Sequence, residues 1–229
     1  MKTLERLFAE KLLKIMAIKL QPANPFIWAS GWKSPFYCDN RKTLSYPSLR
    51  NFVKVEITRL ILERFGQVLQ TVVFRGRAYI YKRQVQRIRH QCTLGNSSRS
   101  NTGNGINLPF VYVRSTPKDN GLENLIEGEL RPGMKVVVVE DLISTGGSSL
   151  KAVEAIRRDG CEVIGMVAAY TYGFPIAEKA FKDAKVPLVT LTNYEAVMEV
   201  ALRTGCIEEE DVLTLNEWRK DPAHWEAGK

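Results

Sequence analysis

Two histidines, His90 and His224, are all the chain has, which argues against a histidine-built metal site or a Ser-His-Asp triad. Its four cysteines, Cys38, Cys92, Cys161 and Cys206, lack paired metal-ligand spacing. They read as reduced, mostly buried thiols. No run approaches the ~20 apolar residues that a membrane-crossing helix needs, and the stretch from Met1 to Lys19 reads as a charged amphipathic helix rather than a signal peptide. A cytoplasmic protein with no membrane partner is therefore expected. Neither a Walker loop nor a Gly-x-Gly-x-x-Gly dinucleotide fingerprint is present, and there are no internal repeats. A more local absence lies between Gln67 and Asn107, where no Asp or Glu occurs.

What remains suits one globular α/β domain over residues 1–229, at 45% hydrophobic and 25% charged. The formal charge of +8 is almost all local. The acid-free stretch carries seven cations, among them Arg75, Arg77, Lys82, Arg83, Arg87 and Arg89, which leaves the rest of the chain near neutral. An Asn/Ser/Gly tract around 95–107 is the one low-complexity segment.

Chemistry concentrates between Val136 and Ser148. Val136 to Val139 is short, β-branched and unalternating, as in a parallel strand buried on both faces. Glu140 and Asp141 follow, then Leu142, Ile143, Ser144, Thr145, Gly146, Gly147 and Ser148. Leu150, Val153 and Ile156 then take up helical spacing. Glycines let such a loop approach a ligand closely, and hydroxyls with unpaired helix N-terminal amides supply donors to a phosphate. The carboxylates fall where open α/β sheets bind ligands, and suit sugar hydroxyls or Mg²⁺ held through water.

The flanking pattern alternates. Leu4, Leu7, Phe8, Leu12, Ile15 and Met16 form one helical face, and Pro47 opens a helix bearing Leu49, Val53, Ile57, Leu60 and Ile61 that ends near Gly66. Val163–Ala169 and Leu188–Leu191 read as buried strands, with helices at 175–184 and 194–204 and Gly160 and Gly205 as stops. Strand–helix alternation predicts a mostly parallel central sheet flanked by helices. Residues 1–45 and 207–229 are expected to form a small hood over the strand ends.

The segment from Val136 to Ser148 resembles the ribose-5-phosphate and diphosphate signature of type I phosphoribosyltransferases. Two further stretches narrow the resemblance to the orotate phosphoribosyltransferase family: Ser30-Gly31-Trp32-Lys33-Ser34-Pro35-Phe36-Tyr37-Cys38-Asp39-Asn40-Arg41, and Tyr112-Val113-Arg114-Ser115-Thr116-Pro117-Lys118-Asp119-Asn120-Gly121 followed by Ile126-Glu127-Gly128, which is similar to that family's strand and mobile catalytic loop. The resemblance implies a type I phosphoribosyltransferase fold and transfer of phosphoribosyl from 5-phosphoribosyl 1-diphosphate to orotate, giving orotidine 5′-phosphate and diphosphate with Mg²⁺, in pyrimidine (UMP) biosynthesis. It implies Lys118, Asp119 and Asp141 as catalytic residues. Arg114, Lys118, Asn120, Glu140, Asp141 and the run from Leu142 to Ser148 would bind the phosphoribosyl diphosphate, with no direct protein ligand to the metal. Ser144, Lys33 and Tyr37 would meet orotate. A homodimer is implied, the loop with Lys118 closing over the neighbouring subunit's site.

This chain also departs from the family. Ser115 and Asn120 stand where many members carry Lys and His, Tyr172 falls near an arginine that touches orotate in some, and Ala29 replaces a lysine. Between Gln67 and Asn107 the family has a strand, a glycine/alanine-rich diphosphate loop and a helix. Here the strand-like Val68 to Phe74 is followed by the basic tract. A divergent insertion would explain it. A shifted reading frame explains better the abrupt change of composition and the return of family-like sequence at Leu108-Pro109-Phe110. With the diphosphate loop lost, weak or absent turnover is expected. Two other readings stay open: a phosphoribosyltransferase for another nucleobase, and a non-catalytic nucleic-acid-binding regulator using the basic segment with Tyr79 and Tyr81 as stacking platforms. Nucleic acid is the weaker expectation, since no recognition motif accompanies the charge.

Overall fold

The computed structural model describes residues 2–28, 31–75, 110–114 and 125–226. Their order is α1 (Lys2–Lys14), β1 (Ile18–Leu20), β2 (Phe26–Ile27), β3 (Lys33–Ser34), β4 (Phe36–Cys38), a 3₁₀ turn (Asn40–Ser45), α2 (Pro47–Phe65) and β5 (Thr71–Arg75). There follow β6 (Phe110–Val113), β7 (Ile126–Glu127), β8 (Lys135–Ile143), α3 (Gly147–Arg158) and β9 (Glu162–Thr171). The chain continues through α4 (Pro175–Asp183), β10 (Leu188–Asn193), α5 (Tyr194–Arg203) and α6 (Glu209–Lys220).

Six strands form the central sheet in the order β10-β9-β8-β5-β6-β7. All neighbours are parallel except β6 and β7, which pair antiparallel. Val136 to Val139 are each 0% exposed. An unalternating β-branched run is stable only where both faces of the sheet are covered, and here they are. The strand is longer than the apolar run alone suggested: Glu140 to Ile143 continue it, because β9 extends alongside as far as Thr171 and pairs with Ile143. The carboxylates thus sit inside a strand rather than in the loop beyond it.

The first strand-like stretch of the unusual segment folds into the centre of the sheet. Val72, Val73 and Phe74 are buried, and β5 pairs with β6 on one side and β8 on the other. The chain leaves β5 toward β6 and returns on the opposite side at β8, so the order reverses between them. In open parallel sheets ligands bind at the strand ends of such a reversal.

α2 begins at Pro47, whose fixed φ and missing N–H suit a first helical turn, and its five expected apolar positions are all buried. α1 is shorter than expected. Phe8 and Leu12 are fully buried, but Leu7 is 42% exposed, and Met16 lies beyond the helix, exposed, with φ 53. α1 packs on β10 and α5. Thr192 Oγ1 donates to the Glu5 carbonyl at 2.7 Å, and Arg6 pairs with Glu199 at 2.7 Å. Trp28, just after β2, and Phe36 of β4 meet α6 through the ring of Trp218. The centroid of Trp218 is 5.9 Å from that of Trp28 and 6.1 Å from that of Phe36. Among the described residues no helix is long and apolar enough to cross a membrane, and Cys38, Cys161 and Cys206 are free thiols.

Candidate active site

A cavity of ≈ 310 Å³ opens at the C-terminal ends of β5 and β8, where the strand order reverses. Its walls come from three places: the β4 end and 3₁₀ turn with Tyr37 to Arg41, the β5 end with Arg75, and β8 with its following loop through Glu140, Asp141, Leu142, Ser144 and Ser148.

Glu140 and Asp141 are successive residues of an extended strand, so their side chains take opposite directions. Glu140 is 1% exposed and fully engaged from within. Oε2 accepts from Arg75 Nη1 at 2.7 Å and from Ser149 Oγ at 2.9 Å, and Oε1 accepts from the Asp141 amide at 3.1 Å. Burial pushes its carboxyl up to about 7, against the pull of Arg75 and with a further push from Asp141. The sequence reading gave both acids to the ligand. Both line the cavity, Asp141 half-buried, while Glu140, 1% exposed, already has its carboxylate oxygens bonded within the protein.

Asp141 is positioned by its own main chain. Asn40, 3% exposed, donates Nδ2–H to the Asp141 carbonyl at 2.8 Å, tying the 3₁₀ turn to β8. Thr43 Oγ1 donates to the Asn40 carbonyl at 2.7 Å. Asp39 caps the same turn, accepting the Arg41 amide at 3.1 Å, and pairs with Arg41 Nη2 at 2.6 Å. Beside them, desolvation, with Asp141 and Asp39 adding, pushes the Cys38 thiol well up, which disfavours its thiolate.

The loop from Ser144 to Gly146 leads directly into α3. Gly146 takes φ +80, a left-handed conformation that lets the chain turn from strand to helix in three residues. No side chain caps α3, and the first amides of a helix have no intrahelical acceptor. Ser144 and Ser148 line the cavity beside that terminus, so the wall combines hydroxyls with the positive end of a helix dipole, the combination that binds a phosphate. Ile143 is 0% exposed and faces the core, so of the Leu142–Ile143 pair only Leu142 lines the cavity.

The other expected residues are distributed unevenly. Tyr37 lines the cavity, with its ring 5.4 Å from that of Phe26. Lys33 is exposed on β3 and not on the cavity wall. Arg114, at the end of β6, turns to Glu127 at 3.4 Å across the sheet edge. Tyr172, 3% exposed, belongs to the aromatic cluster, 5.2 Å from Phe36. Lys118, Asp119 and Asn120, with Ser30, Ala29, Ser115 and residues 76–109, lie outside the described residues. Arg75, Asn40 and Ser149 had no role in the sequence reading. Arg75 was counted only as a member of the basic tract, and a strand ending on an arginine beside a strand bearing an acid was the available signal.

A mostly parallel sheet with an acid pair on a central strand, followed by a hydroxyl/glycine loop that opens into a helix, is the arrangement of the phosphoribosyltransferase class. Accordingly, a family described as "Phosphoribosyl transferase domain" matches residues 92–203. The orotate phosphoribosyltransferase of Bacteroides thetaiotaomicron is 78% identical over 229 residues, covering 100% of each chain. That of Porphyromonas gingivalis is 57% identical over 225 residues, covering 98% of this chain and 99% of its own. The chain belongs to the orotate phosphoribosyltransferase family. Among solved structures, the orotate phosphoribosyltransferase from Aeropyrum pernix has a TM-score of 0.63 at 24% identity, covering 88% of this chain and 99% of that one. Leishmania donovani UMP synthase has a TM-score of 0.70 at 18% identity, covering 94% of this chain, which spans 42% of that longer protein. These two likenesses bear on the fold.

Proposed function

We propose that the cavity at the ends of β5 and β8 transfers a phosphoribosyl group from 5-phosphoribosyl 1-diphosphate to orotate, the reaction named for the relatives that match this chain end to end. The observation that carries this reading is the joint placement of Asp141, Ser144, Ser148 and the uncapped α3 N-terminus around one ≈ 310 Å³ cavity. As the bond from the ribose carbon to diphosphate breaks, the carbon becomes cation-like and the leaving group gains charge. An anion at the sugar and donors at the phosphates are therefore worth more in the transition state than in the ground state. Asp141 accepts from the ribose hydroxyls, and the loop from Ser144 to Ser148 holds the 5′-phosphate. Tyr37 and Ser144 face the base, and Lys118 and Asp119, outside the described residues, are the family-like candidates for the catalytic step.

Mg²⁺ fits this donor set in one way. Among the described residues no group of three or more His, Cys, Asp or Glu could cage a metal, so the ion would reach the protein through the ligand's own oxygens and water on Asp141. There it would supply charge neutralisation to the leaving diphosphate. Membership of the orotate phosphoribosyltransferase family supports a cytoplasmic homodimer. Sedimentation of the purified chain tests the dimer.

The function is tested by following loss of orotate with phosphoribosyl diphosphate and Mg²⁺, with adenine, guanine and uracil in parallel. Turnover confined to orotate is expected. Turnover of another base in its place assigns the chain to a sibling activity.

A further inference from the structure

We infer that Arg75 is the residue of this chain that grips the diphosphate, and that Glu140 is the positioning residue that holds it there. The inference rests on the phosphoribosyl diphosphate reading of the cavity.

The register of the two central strands makes the pair. Phase is set by Phe74 opposite Val139, so the next residue of each strand, Arg75 and Glu140, emerges at the same level where the strand order reverses. A carboxylate at 1% exposure is costly unless it is paired and hydrogen-bonded. Arg75 at 2.7 Å, Ser149 Oγ and the Asp141 amide together meet that need. An acid so engaged has little left to offer a sugar. What it does is fix a guanidinium.

That guanidinium is oriented. Its side chain keeps 13% exposure against 1% for Glu140, so the pair is a dipole with its carboxylate behind and its cation toward the cavity that both residues line. Arginine carries five N–H donors in a rigid fork. Among the described residues Arg75 makes one hydrogen bond, to Glu140. The remaining donors suit two oxygens of one polyanion, in the bidentate manner for which arginine is preferred over lysine. The cavity's other arginine is differently committed, since Arg41 is paired with both carboxylate oxygens of Asp39. Ser144 and Ser148 occupy the loop side of the cavity and Arg75 the β5 side, so one ligand with a phosphate at each end would touch both.

The test measures binding of two probes, inorganic diphosphate with Mg²⁺ and ribose 5-phosphate, by calorimetry at pH 8 on the full chain and its variants. Replacing Arg75 alone would strand a buried carboxylate, so the main variant is Arg75→Gln with Glu140→Gln, which removes both charges. Diphosphate affinity is expected to fall about tenfold or more, and ribose 5-phosphate affinity by about threefold or less. Equal losses for the two probes, or an undiminished diphosphate affinity, overturn the inference. Should the double variant fail to fold, Arg75→Lys keeps the ion pair but loses the fork. It is expected to weaken diphosphate binding selectively, and unchanged binding in Arg75→Lys overturns the inference too. If the unaltered chain binds ribose 5-phosphate but not diphosphate, Arg75 has no such role and the phosphate cradle stands. If it binds neither, the functional reading falls with the inference.

Discussion

Asn40 donates a 2.8 Å hydrogen bond to the main-chain carbonyl of Asp141, joining two stretches 101 residues apart in sequence. The amide is buried, and the bond fixes the peptide that carries the carboxylate facing the cavity. Asn40→Ala removes it and leaves a buried carbonyl without that donor. A loss of about 1–2 kcal/mol in stability is expected, with a fall in kcat/KM larger than the change in KM, because Asp141 is wanted most in the transition state. Urea denaturation and steady-state kinetics on one preparation check both.

Glu140 makes stability depend on pH. Its carboxyl is raised from an ordinary 4.5 to about 7 by burial, against the opposing effect of Arg75. Between those values the folded state holds a proton that the unfolded state has lost. Stability from this group is therefore fully present below about 4.5 and is lost as pH rises through about 7. Thermal denaturation from pH 5 to pH 8 is expected to show a falling Tm that Glu140→Gln flattens. A slope unchanged by that substitution would assign the pH dependence elsewhere.

Gly146 occupies a position that only glycine fills without cost. At φ +80 an added Cβ would meet Phe181 Cε2 at 2.8 Å. Gly146→Ala combines left-handed strain of roughly 1–2 kcal/mol with that clash, and it moves the turn that presents Ser144 and Ser148. Ribose 5-phosphate affinity is expected to fall about tenfold along with the Tm. Gly147→Ala meets open space, and its stability is expected to stay within about 0.5 kcal/mol.

How much was legible in the sequence follows from which interactions are local. Val136 to Val139, the helical face of α2 and the turn from Ser144 to Gly147 could be read because period and residue type carry the information within a few residues. The continuation of β8 through Glu140 to Ile143 could not, since it depends on how far β9 runs alongside. Nor could the division of labour between the two acids. Both are carboxylates in a strand, and only the partners brought by β5 and α3, Arg75 and Ser149, decide which one faces inward. Asn40 and Lys33 show the same limit from the other side. Both sit in or beside a family-like stretch, yet tertiary contact draws Asn40 to β8 and leaves Lys33 exposed. The packing of α1 on β10 and α5 was likewise set by contacts that no period within residues 2–14 records.

Arg219 fastens α6 to the rest of the molecule. Nε donates to the Tyr172 carbonyl at 3.1 Å and Nη2 to the Gly173 carbonyl at 3.0 Å, while the guanidinium lies 4.7 Å from the Tyr194 ring centre. Adjacent carbonyls accepting from one planar fork is an arrangement that lysine cannot copy. Arg219→Ala is expected to cost about 2–3 kcal/mol, and Arg219→Lys to recover less than half of it. Full recovery in the lysine variant, by chemical denaturation, would show that charge alone matters.

The last expectation concerns turnover itself. The family resemblance places a glycine/alanine-rich diphosphate loop directly after the strand that is β5 here, where this sequence instead runs Arg75-Gly76-Arg77-Ala78-Tyr79 with no acid until Asp119. Backbone donors aimed at a leaving group act where charge develops, and each is worth about 10²–10³ in rate. A single guanidinium, already shared with Glu140, offsets part of that loss at most. Against the Bacteroides thetaiotaomicron relative assayed side by side, kcat on orotate is therefore expected to be lower by about 10² or more, a barrier higher by roughly 2.7 kcal/mol. Ribose 5-phosphate binding, which uses the loop from Ser144 to Ser148, should be nearly equal in the two. A kcat within about threefold of the relative's would show that the basic segment rebuilds the missing donors. In the slow case, sequencing the gene across codons 67–107 separates the explanations: a frame shift predicts that restoring the frame brings back both the glycine/alanine-rich loop and the rate.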